Sequence, residues 1–221
     1  MKNVNKIRDQ TLGYYTLELY DERVVLSVID KAIRDFESEK ELFLVKPLYY
    51  CPRCLYFYID YRRDYQRRDR CYRCGYPLKR VDKLFVKRYS KLLEKYRVRV
   101  KPLVRDLFRL FIKPSEFSIY KYSMIYIKFN NSFTSSTETT IYPSLKNSRF
   151  TMYLSITLNR FNPKYIDIVE RLESLYSEYG LTGYITIYET PRRVEELVKK
   201  GYIEQSSGYA RIGGFDYYKQ I

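Results

Sequence analysis

The sequence predicts a mixed α+β fold in which a small unit held by four cysteines precedes a C-terminal α/β domain built on a mixed sheet. Two observations lead to this prediction. All four cysteines lie within residues 51–74 as two Cys-x-x-Cys pairs. From about residue 117 the apolar side chains repeat with the period of strands rather than helices. We divide the 221 residues into an N-terminal helical segment (1–42), the cysteine unit (43–82) and a C-terminal domain (83–221).

The N-terminal segment is expected to contain one strong helix. Residues 22–38 carry apolar side chains at intervals of three and four, and Asp21 can cap the first turn. Residues 14–20, which precede this helix, fit a short strand or a first helical turn. The segment therefore offers one apolar helix face for burial against the rest of the chain.

Residues 83–112 are expected to form two helices separated by a strand. Residues 83–96 carry an apolar stripe opposite lysines and arginines. Pro102 predicts an interruption, because proline lacks the backbone N–H and clashes with the preceding helical turn. We therefore expect a short strand at 97–100 and a compact helix at 103–112.

The rest of the C-terminal domain is predicted to alternate strands and helices, in a β-α-β-α-ββ order over its last third. Proline and glycine mark the helix ends, and alternating apolar residues mark the strands. The expected elements are a strand at 117–129, a loop with a short strand at 131–140, a strand at 149–158, a helix from Asn162-Pro163 to Gly180, a strand at 184–188, a helix from Thr190-Pro191 to Gly201, and a hairpin at 208–218 turning at Gly213-Gly214.

The charge is strongly positive and unevenly distributed. The formal net charge is +15, from 41 Lys and Arg against 26 Asp and Glu. Residues 61–110 hold 18 basic and 5 acidic side chains, which is nearly the whole excess. This concentration favours an electrostatic binding surface, and the alternative is the charged surface of a heat-stable protein. The richness in Lys, Arg, Glu and Tyr, without tryptophan, resembles proteins of hyperthermophilic archaea and archaeal viruses.

The sequence contains no histidine, which excludes histidine general bases, Ser–His and Cys–His nucleophile pairs and every histidine-containing zinc site. No apolar run reaches the roughly 18 residues of a membrane span. The first residues also lack the apolar core of a signal peptide. We therefore expect a soluble, cytoplasmic protein without a membrane partner.

The cysteine pattern predicts a structural zinc site. Cys51 and Cys54 form one pair, Cys71 and Cys74 form the other, and sixteen residues separate the pairs. Two such knuckles supply the four tetrahedral thiolates that Zn²⁺ prefers in structural sites, and Gly75 suits a positive φ in the second knuckle. A closed four-thiolate site leaves no position for water, so the zinc would stabilise the fold rather than catalyse. Iron in a rubredoxin-like site and two disulfides are the alternatives.

The residues around both pairs resemble the zinc ribbon of archaeal transcription factor E. The resemblance rests on Tyr50-Cys-Pro-Arg-Cys54 and on Cys71-Tyr-Arg-Cys-Gly-Tyr-Pro-Leu78, and it covers about residues 45–82. The same residues are also similar to the ribbons of other transcription and replication proteins. The resemblance implies a zinc-ribbon fold and a role beside nucleic acid.

Residues 61–70, between the two pairs, carry five arginines. In a ribbon this stretch is the tip of a hairpin, where arginine forks can bind phosphate oxygens. Neighbouring tyrosines, Tyr56 and Tyr58 among them, could stack on unpaired bases. A solvated tip and an acidic protein partner are the alternatives. The candidate nucleic-acid-binding residues are Arg62, Arg63, Arg67, Arg68, Arg70, Arg73, Lys79, Arg80, Lys83, Lys87 and Arg88.

The element order from about residue 97 onward resembles that of the GNAT acetyltransferase superfamily, and residues 193–203 look like its last helix and following strand. The resemblance implies a coenzyme A pyrophosphate bound by backbone amides after the fourth strand. The equivalent turn here is Arg160-Phe-Asn-Pro-Lys-Tyr165, in which proline removes one amide donor and tyrosine blocks close approach. We therefore expect a degenerate domain, whereas a splayed pair of parallel strands after residue 149 would favour an active enzyme.

These features together predict a zinc-ribbon nucleic-acid-binding protein that is transcription- or genome-associated and non-catalytic. No catalytic residue is assigned. The expected partner is DNA or RNA, with a protein partner as a second possibility. The alternative functions are a GNAT-like acyltransferase or its degenerate relative, and a protein-docking adaptor of a transcription complex.

Overall fold

The computed structural model describes residues 14–17, 21–46, 48–58, 70–71, 73–146, 149–200, 210–211 and 214–220. In chain order, its first elements are β1 (Tyr15–Leu17), α1 (Glu22–Glu39), α2 (Leu42–Val45), β2 (Tyr49–Tyr50), β3 (Phe57–Tyr58), β4 (Lys79–Arg80) and α3 (Lys83–Phe111). The later elements are β5 (Lys113–Tyr120), β6 (Met124–Asn130), β7 (Ser136–Lys146), β8 (Arg149–Asn159), a 3₁₀ turn (Pro163–Tyr165), α4 (Ile166–Tyr179), β9 (Thr182–Glu189), α5 (Pro191–Lys199), β10 (Ala210–Arg211) and β11 (Gly214–Gln220).

The strands form two sheets. The larger sheet has the order β1-β5-β6-β7-β8-β9-β11-β10, and the smaller one has the order β3-β2-β4. Strands β8 and β9 are parallel, whereas their neighbours β7 and β11 run antiparallel to them. This arrangement confirms the predicted mixed α+β fold with a mixed sheet.

Helix α1 forms where the sequence predicts it. The Asp21 carboxylate accepts a hydrogen bond from the N–H of Arg23 at 2.7 Å and caps the helix. Farther along α1, Asp30 pairs with Lys101 of α3 at 2.6 Å and with Arg97 at 2.8 Å. Burial alone would raise the pKa of Asp30, but these two cations lower it below its usual value. The ion pairs therefore hold α1 alongside α3.

The strand expected at 97–100 and the separate helix expected at 103–112 are wrong, because α3 continues through Pro102. Val98 is 74% exposed and Val100 is fully buried, which suits residues two apart on a helix and not on a strand. A proline inside a helix costs roughly 3 kcal/mol. The apolar stripe continues beyond it, and each fully buried side chain contributes about 1.5–3 kcal/mol. The buried residues after the proline are Leu103, Val104, Leu107, Phe108 and Phe111.

The single strand predicted at 117–129 is instead a hairpin of β5 and β6. The chain reverses at Lys121 and Tyr122, which have φ values of 52° and 61°. Two consecutive left-handed residues are typical of a type I′ turn, which usually contains Asn or Gly. The strain is offset because Tyr122 is buried and its hydroxyl donates a hydrogen bond to the Glu39 carboxylate at 2.7 Å.

The remaining C-terminal elements largely follow the prediction. Helix α4 ends at Gly180, whose φ of 56° is left-handed. The segment at 131–140 is a loop followed by a strand, as predicted, but β7 has 11 residues rather than being short. The helix end expected at Gly201 and the first glycine of the expected turn, Gly213, lie outside the described residues. The alternating face of β8 is buried at Met152, Leu154, Ile156 and Leu158.

One hydrophobic core includes residues from all three predicted segments, such as Ile29, Phe57 and Leu107. Helices α3 and α4 pack on the buried face of the larger sheet. The hydroxyl of Tyr96 on α3 donates to a carbonyl of β7 at 3.4 Å, and that of Tyr176 on α4 donates to a carbonyl of β8 at 2.7 Å. Within the described part of the chain, none of the helices has the combination of length and apolar character that crossing a membrane requires.

We predict that Gly183→Ala destabilises the protein by at least about 2 kcal/mol. Gly183 lies in β9 with a φ of 134°, and a Cβ there would come within 1.8 Å of the Leu154 carbonyl oxygen of β8. Chemical denaturation measures the change in unfolding free energy. Gly180→Ala is the matched control, because its Cβ would meet no atom closer than 3.9 Å. The control should cost only about 1–2 kcal/mol from its left-handed backbone, and equal losses in the two variants would contradict the proposed clash.

Candidate metal centre

The four cysteines lie on two knuckles that share one backbone geometry. In each knuckle the carbonyl of the first cysteine accepts a hydrogen bond from the N–H four residues later, and its N–H donates to the carbonyl five residues later. All four of these hydrogen bonds measure 2.8 Å. The knuckles belong to the cysteine unit, whose described residues are 43–46, 48–58, 70–71 and 73–82.

Each knuckle has a left-handed residue directly after its second cysteine. Gly75 has a φ of 68°, as its position in the sequence predicts, whereas Leu55 has a φ of 56°. A left-handed L-residue costs roughly 1–2 kcal/mol. The cost at Leu55 is offset because its side chain is buried in the hydrophobic core. Sequence reasoning missed this position because leucine carries no signal for positive φ.

The four sulfur atoms lie close enough together to hold one metal ion. All of them are within 4.8 Å of one another, and the Sγ atoms of Cys51 and Cys74 are 3.4 Å apart, with those of Cys54 and Cys71 at 3.6 Å. Metal–sulfur bonds of about 2.3 Å in a tetrahedron would separate the sulfurs by about 3.8 Å. None of the four is in a disulfide. The structure thus brings together all four residues that the sequence assigns to the metal.

The thiols differ in how readily they would lose their protons. Burial opposes ionisation of Cys71, but the Tyr58 hydroxyl at 3.5 Å and nearby backbone amides outweigh it and lower the pKa of Cys71 to about 7. Burial raises the pKa of Cys51 to about 11 and raises that of Cys54 further. A metal ion must displace these protons, because thiolates are the ligands.

A column of cations and aromatic rings joins the cysteine unit to the larger sheet. The Arg73 guanidinium lies 4.0 Å from the ring centroid of Tyr56 and 4.1 Å from that of Tyr142 on β7. The Tyr142 ring stacks on Tyr153 of β8 at 4.5 Å and 15°. Lys121 lies on Tyr56 as well, with Nζ 4.3 Å from the ring centroid. We call these five residues the cation–ring column.

Lys121 is the second attachment between the cysteine unit and the sheet. Its side chain is 5% exposed, and Nζ donates to the Phe57 carbonyl at 2.7 Å and to the Tyr56 hydroxyl at 3.1 Å. Because Lys121 is in the left-handed turn between β5 and β6, that turn aims its side chain at β3. The sequence contains no motif for this contact, which joins residues more than sixty positions apart.

The candidate nucleic-acid-binding residues have different surroundings. Arg62, Arg63, Arg67 and Arg68 lie outside the described residues. Arg70 is exposed and donates to the Gly75 carbonyl at 3.3 Å, whereas Arg73 is held inside the column. Four further cations are exposed, on β4 and the first turns of α3, and Arg88 is half-buried. The four exposed residues are Lys79, Arg80, Lys83 and Lys87.

We predict that Arg73→Ala destabilises the protein by about 1–3 kcal/mol, because it removes two cation–ring contacts. Arg53 is the matched control, since it has the same position in the first knuckle but is exposed. Arg53→Ala should change the unfolding free energy by less than about 0.5 kcal/mol. Equal losses of unfolding free energy in the two variants, measured by thermal or chemical denaturation, would show that the cation–ring column does not help to hold the cysteine unit on the sheet.

We also predict that the purified protein contains one equivalent of a metal ion and that a chelator lowers its melting temperature. Closed four-thiolate sites contribute roughly 10–16 kcal/mol of binding free energy to folding. Cys71→Ser should lower the melting temperature in the same way without a chelator. Elemental analysis and thermal melts with metal added back provide the measurement. A metal-free protein with an unchanged melting temperature would contradict the assignment.

Comparison with known proteins gives no match to a family model, to a curated protein or to a solved structure. A function for this chain therefore has to be argued from the cysteine cluster and from the charges around it.

Proposed function

We propose that this chain is a non-catalytic, transcription- or genome-associated protein in which a zinc ribbon presents cations to nucleic acid. The observation that carries the proposal is the cluster of four sulfurs within 4.8 Å of one another, beside a surface of exposed lysines and arginines. A metal at this cluster would fix both knuckles. The arginine-rich stretch at 61–70 lies between the two knuckles in the sequence.

Zinc is the ion that fits the ligand set best. Four thiolates around a closed tetrahedral site are typical of structural Zn²⁺, and thiolate ligands disfavour magnesium, calcium and manganese. Iron in a rubredoxin-like site is the remaining alternative, and elemental analysis separates the two. The metal would have a structural role, because all four ligand positions are filled by the protein.

The charges near the cysteine unit support nucleic acid as the partner. Lys79, Arg80, Lys83 and Lys87 are exposed, and none of them forms an ion pair with a carboxylate among the described residues. Exposed lysines and arginines can bind phosphates, and this binding is favoured because it releases the counterions of the nucleic acid. The composition supports a hyperthermophilic archaeon or an archaeal virus as the source, and we propose the cytoplasm as the compartment.

An acyltransferase-like function is the second candidate, and one feature favours it. The single described parallel pair, β8 and β9, is followed by a helix and by a terminal pair in which β11 lies between β9 and β10. However, the pairing continues to the carboxyl end of β8, where Asn159 lies opposite Tyr188 and the N–H of Arg160 donates to the Tyr188 carbonyl at 2.9 Å. This leaves no crevice between the two strands, which favours the non-catalytic function.

We predict that the protein binds nucleic acid with an affinity that falls steeply as salt rises, by a slope of about −0.9 for each phosphate contact on a duplex. Fluorescence anisotropy with a labelled duplex and a labelled single strand measures the slope. Replacing Arg62, Arg63, Arg67 and Arg68 together by Gln should make the slope shallower by up to about 3.6.

A salt-independent affinity would contradict this proposal. Acetyl-coenzyme A should leave the melting temperature unchanged, whereas a bound cofactor would raise it by mass action and would favour the second candidate. Retention of a transcription protein after nuclease treatment, without direct nucleic-acid binding, would favour a protein-docking adaptor.

A further inference from the structure

The cations of α3 fall into two groups that differ in their ion pairs. In its second half, cations pair with carboxylates of α1: Lys101 and Arg97 with Asp30, and Arg105 with Glu22 at 3.5 Å. The other two cations of this half also have partners, because Arg109 pairs with Asp106 of the same helix and Arg99 donates a hydrogen bond to the Tyr179 carbonyl. Among the described residues, the cations of the first half form no ion pair.

Four lysines of the first half, spaced four residues apart, form what we call the lysine stripe. All four are exposed, and none is in an ion pair among the described residues. Residues four apart share one face of a helix, with a rise of about 6 Å from each to the next, so the stripe covers about 18 Å. The stripe consists of Lys83, Lys87, Lys91 and Lys95.

The stripe opposes the stability of the helix that carries it. Like charges four residues apart destabilise a helix, whereas alternating charges stabilise it. Glu94 follows Lys91 by three positions but is not within ion-pair distance of any stripe lysine. The stability of the fold therefore does not explain why four lysines follow one another at intervals of four residues.

The stripe borders an open groove of about 510 Å³. One wall of the groove is α3, and the other is formed by the last turn of α1 and by α2. Lys83, Lys87 and Lys91 line one side. The facing side carries Glu37 and Glu41 together with Lys40, and Lys40 pairs with Glu37 at 3.4 Å. The lysines outnumber the glutamates, so the groove has a net positive charge and attracts an anionic ligand.

We infer that the lysine stripe is the surface along which the phosphate backbone of a double-stranded nucleic acid lies, in sequence-independent contact. This inference rests on the proposed function and extends it beyond the arginine-rich stretch to Lys91 and Lys95. A duplex fits better than a single strand, because single-strand binders stack bases on open aromatic faces. The described residues that line the groove beside the stripe include no aromatic ring on which a base could stack.

The test compares two variants of the full chain that each lose four positive charges. The stripe variant replaces Lys83, Lys87, Lys91 and Lys95 by Gln. The matched control replaces four exposed cations from β8 onward by Gln. The control positions are Arg149, Lys164, Arg171 and Arg192.

We expect the stripe variant to make the dependence of duplex affinity on salt shallower by about 3.6 and the control to leave it near the wild-type value. Equal slopes in the two variants would overturn the stripe while leaving the proposed function in place. Absence of duplex binding by the wild-type chain would overturn both. A wild-type chain that binds single strands or polyglutamate more tightly than the duplex would also overturn the assignment of the partner.

Lys87→Glu gives an independent readout of the same inference. A glutamate at this position would place a negative charge where the phosphates are proposed to lie, on the groove that Glu37 and Glu41 also line. The change should weaken duplex binding more than Lys87→Gln does. Equal duplex affinities of the two variants would contradict the inference.

Discussion

Two cations packed among aromatic rings join the cysteine unit to the larger sheet, beside the hydrophobic core that the two share. The strands of the unit are two residues long, too short to form a stable sheet by themselves. Arg73 between Tyr56 and Tyr142, and Lys121 against Tyr56, give the unit a fixed position on β7 and on the turn between β5 and β6. A metal at the four sulfurs would order the knuckles, whereas these cation–ring contacts, together with the packing of Phe43 on Tyr122, hold the unit against the sheet.

Helix α3 extends this connection through the molecule. Its first turns pack on the cysteine unit, where the ring of Phe85 lies 4.5 Å from that of Tyr50 and the ring of Tyr89 lies 5.4 Å from that of Phe57. Its later turns pack under the larger sheet. Because one continuous helix serves both, distortion of the metal site would reach the sheet through buried aromatic side chains rather than remain in a peripheral module.

Local patterns in the sequence predict much of this structure. The Cys-x-x-Cys pairs identify the four residues that could hold a metal ion. The alternation at 149–158 identifies β8, and the apolar stripe at 22–38 identifies α1. The failures occur where distant contacts overcome a local signal. Burial under the sheet keeps α3 intact through Pro102, and the burial of Tyr122 permits a left-handed turn without glycine. The position of Arg73 between two rings depends on Tyr142, nearly seventy residues away, and no local pattern reports it.

The cations in the two halves of α3 need different explanations. If heat stability alone accounted for the cations, the first half should resemble the second, where Lys101 and Arg97 both reach one carboxylate. Instead, the first half repeats lysine at a spacing where like charges repel along a helix face, at a cost of roughly 0.2–0.5 kcal/mol for each pair. A polyanion lying along the stripe would offset this cost on binding. We therefore propose the first half of α3, whose lysines form no ion pair among the described residues, as the binding surface, whereas the second half holds α1 in place.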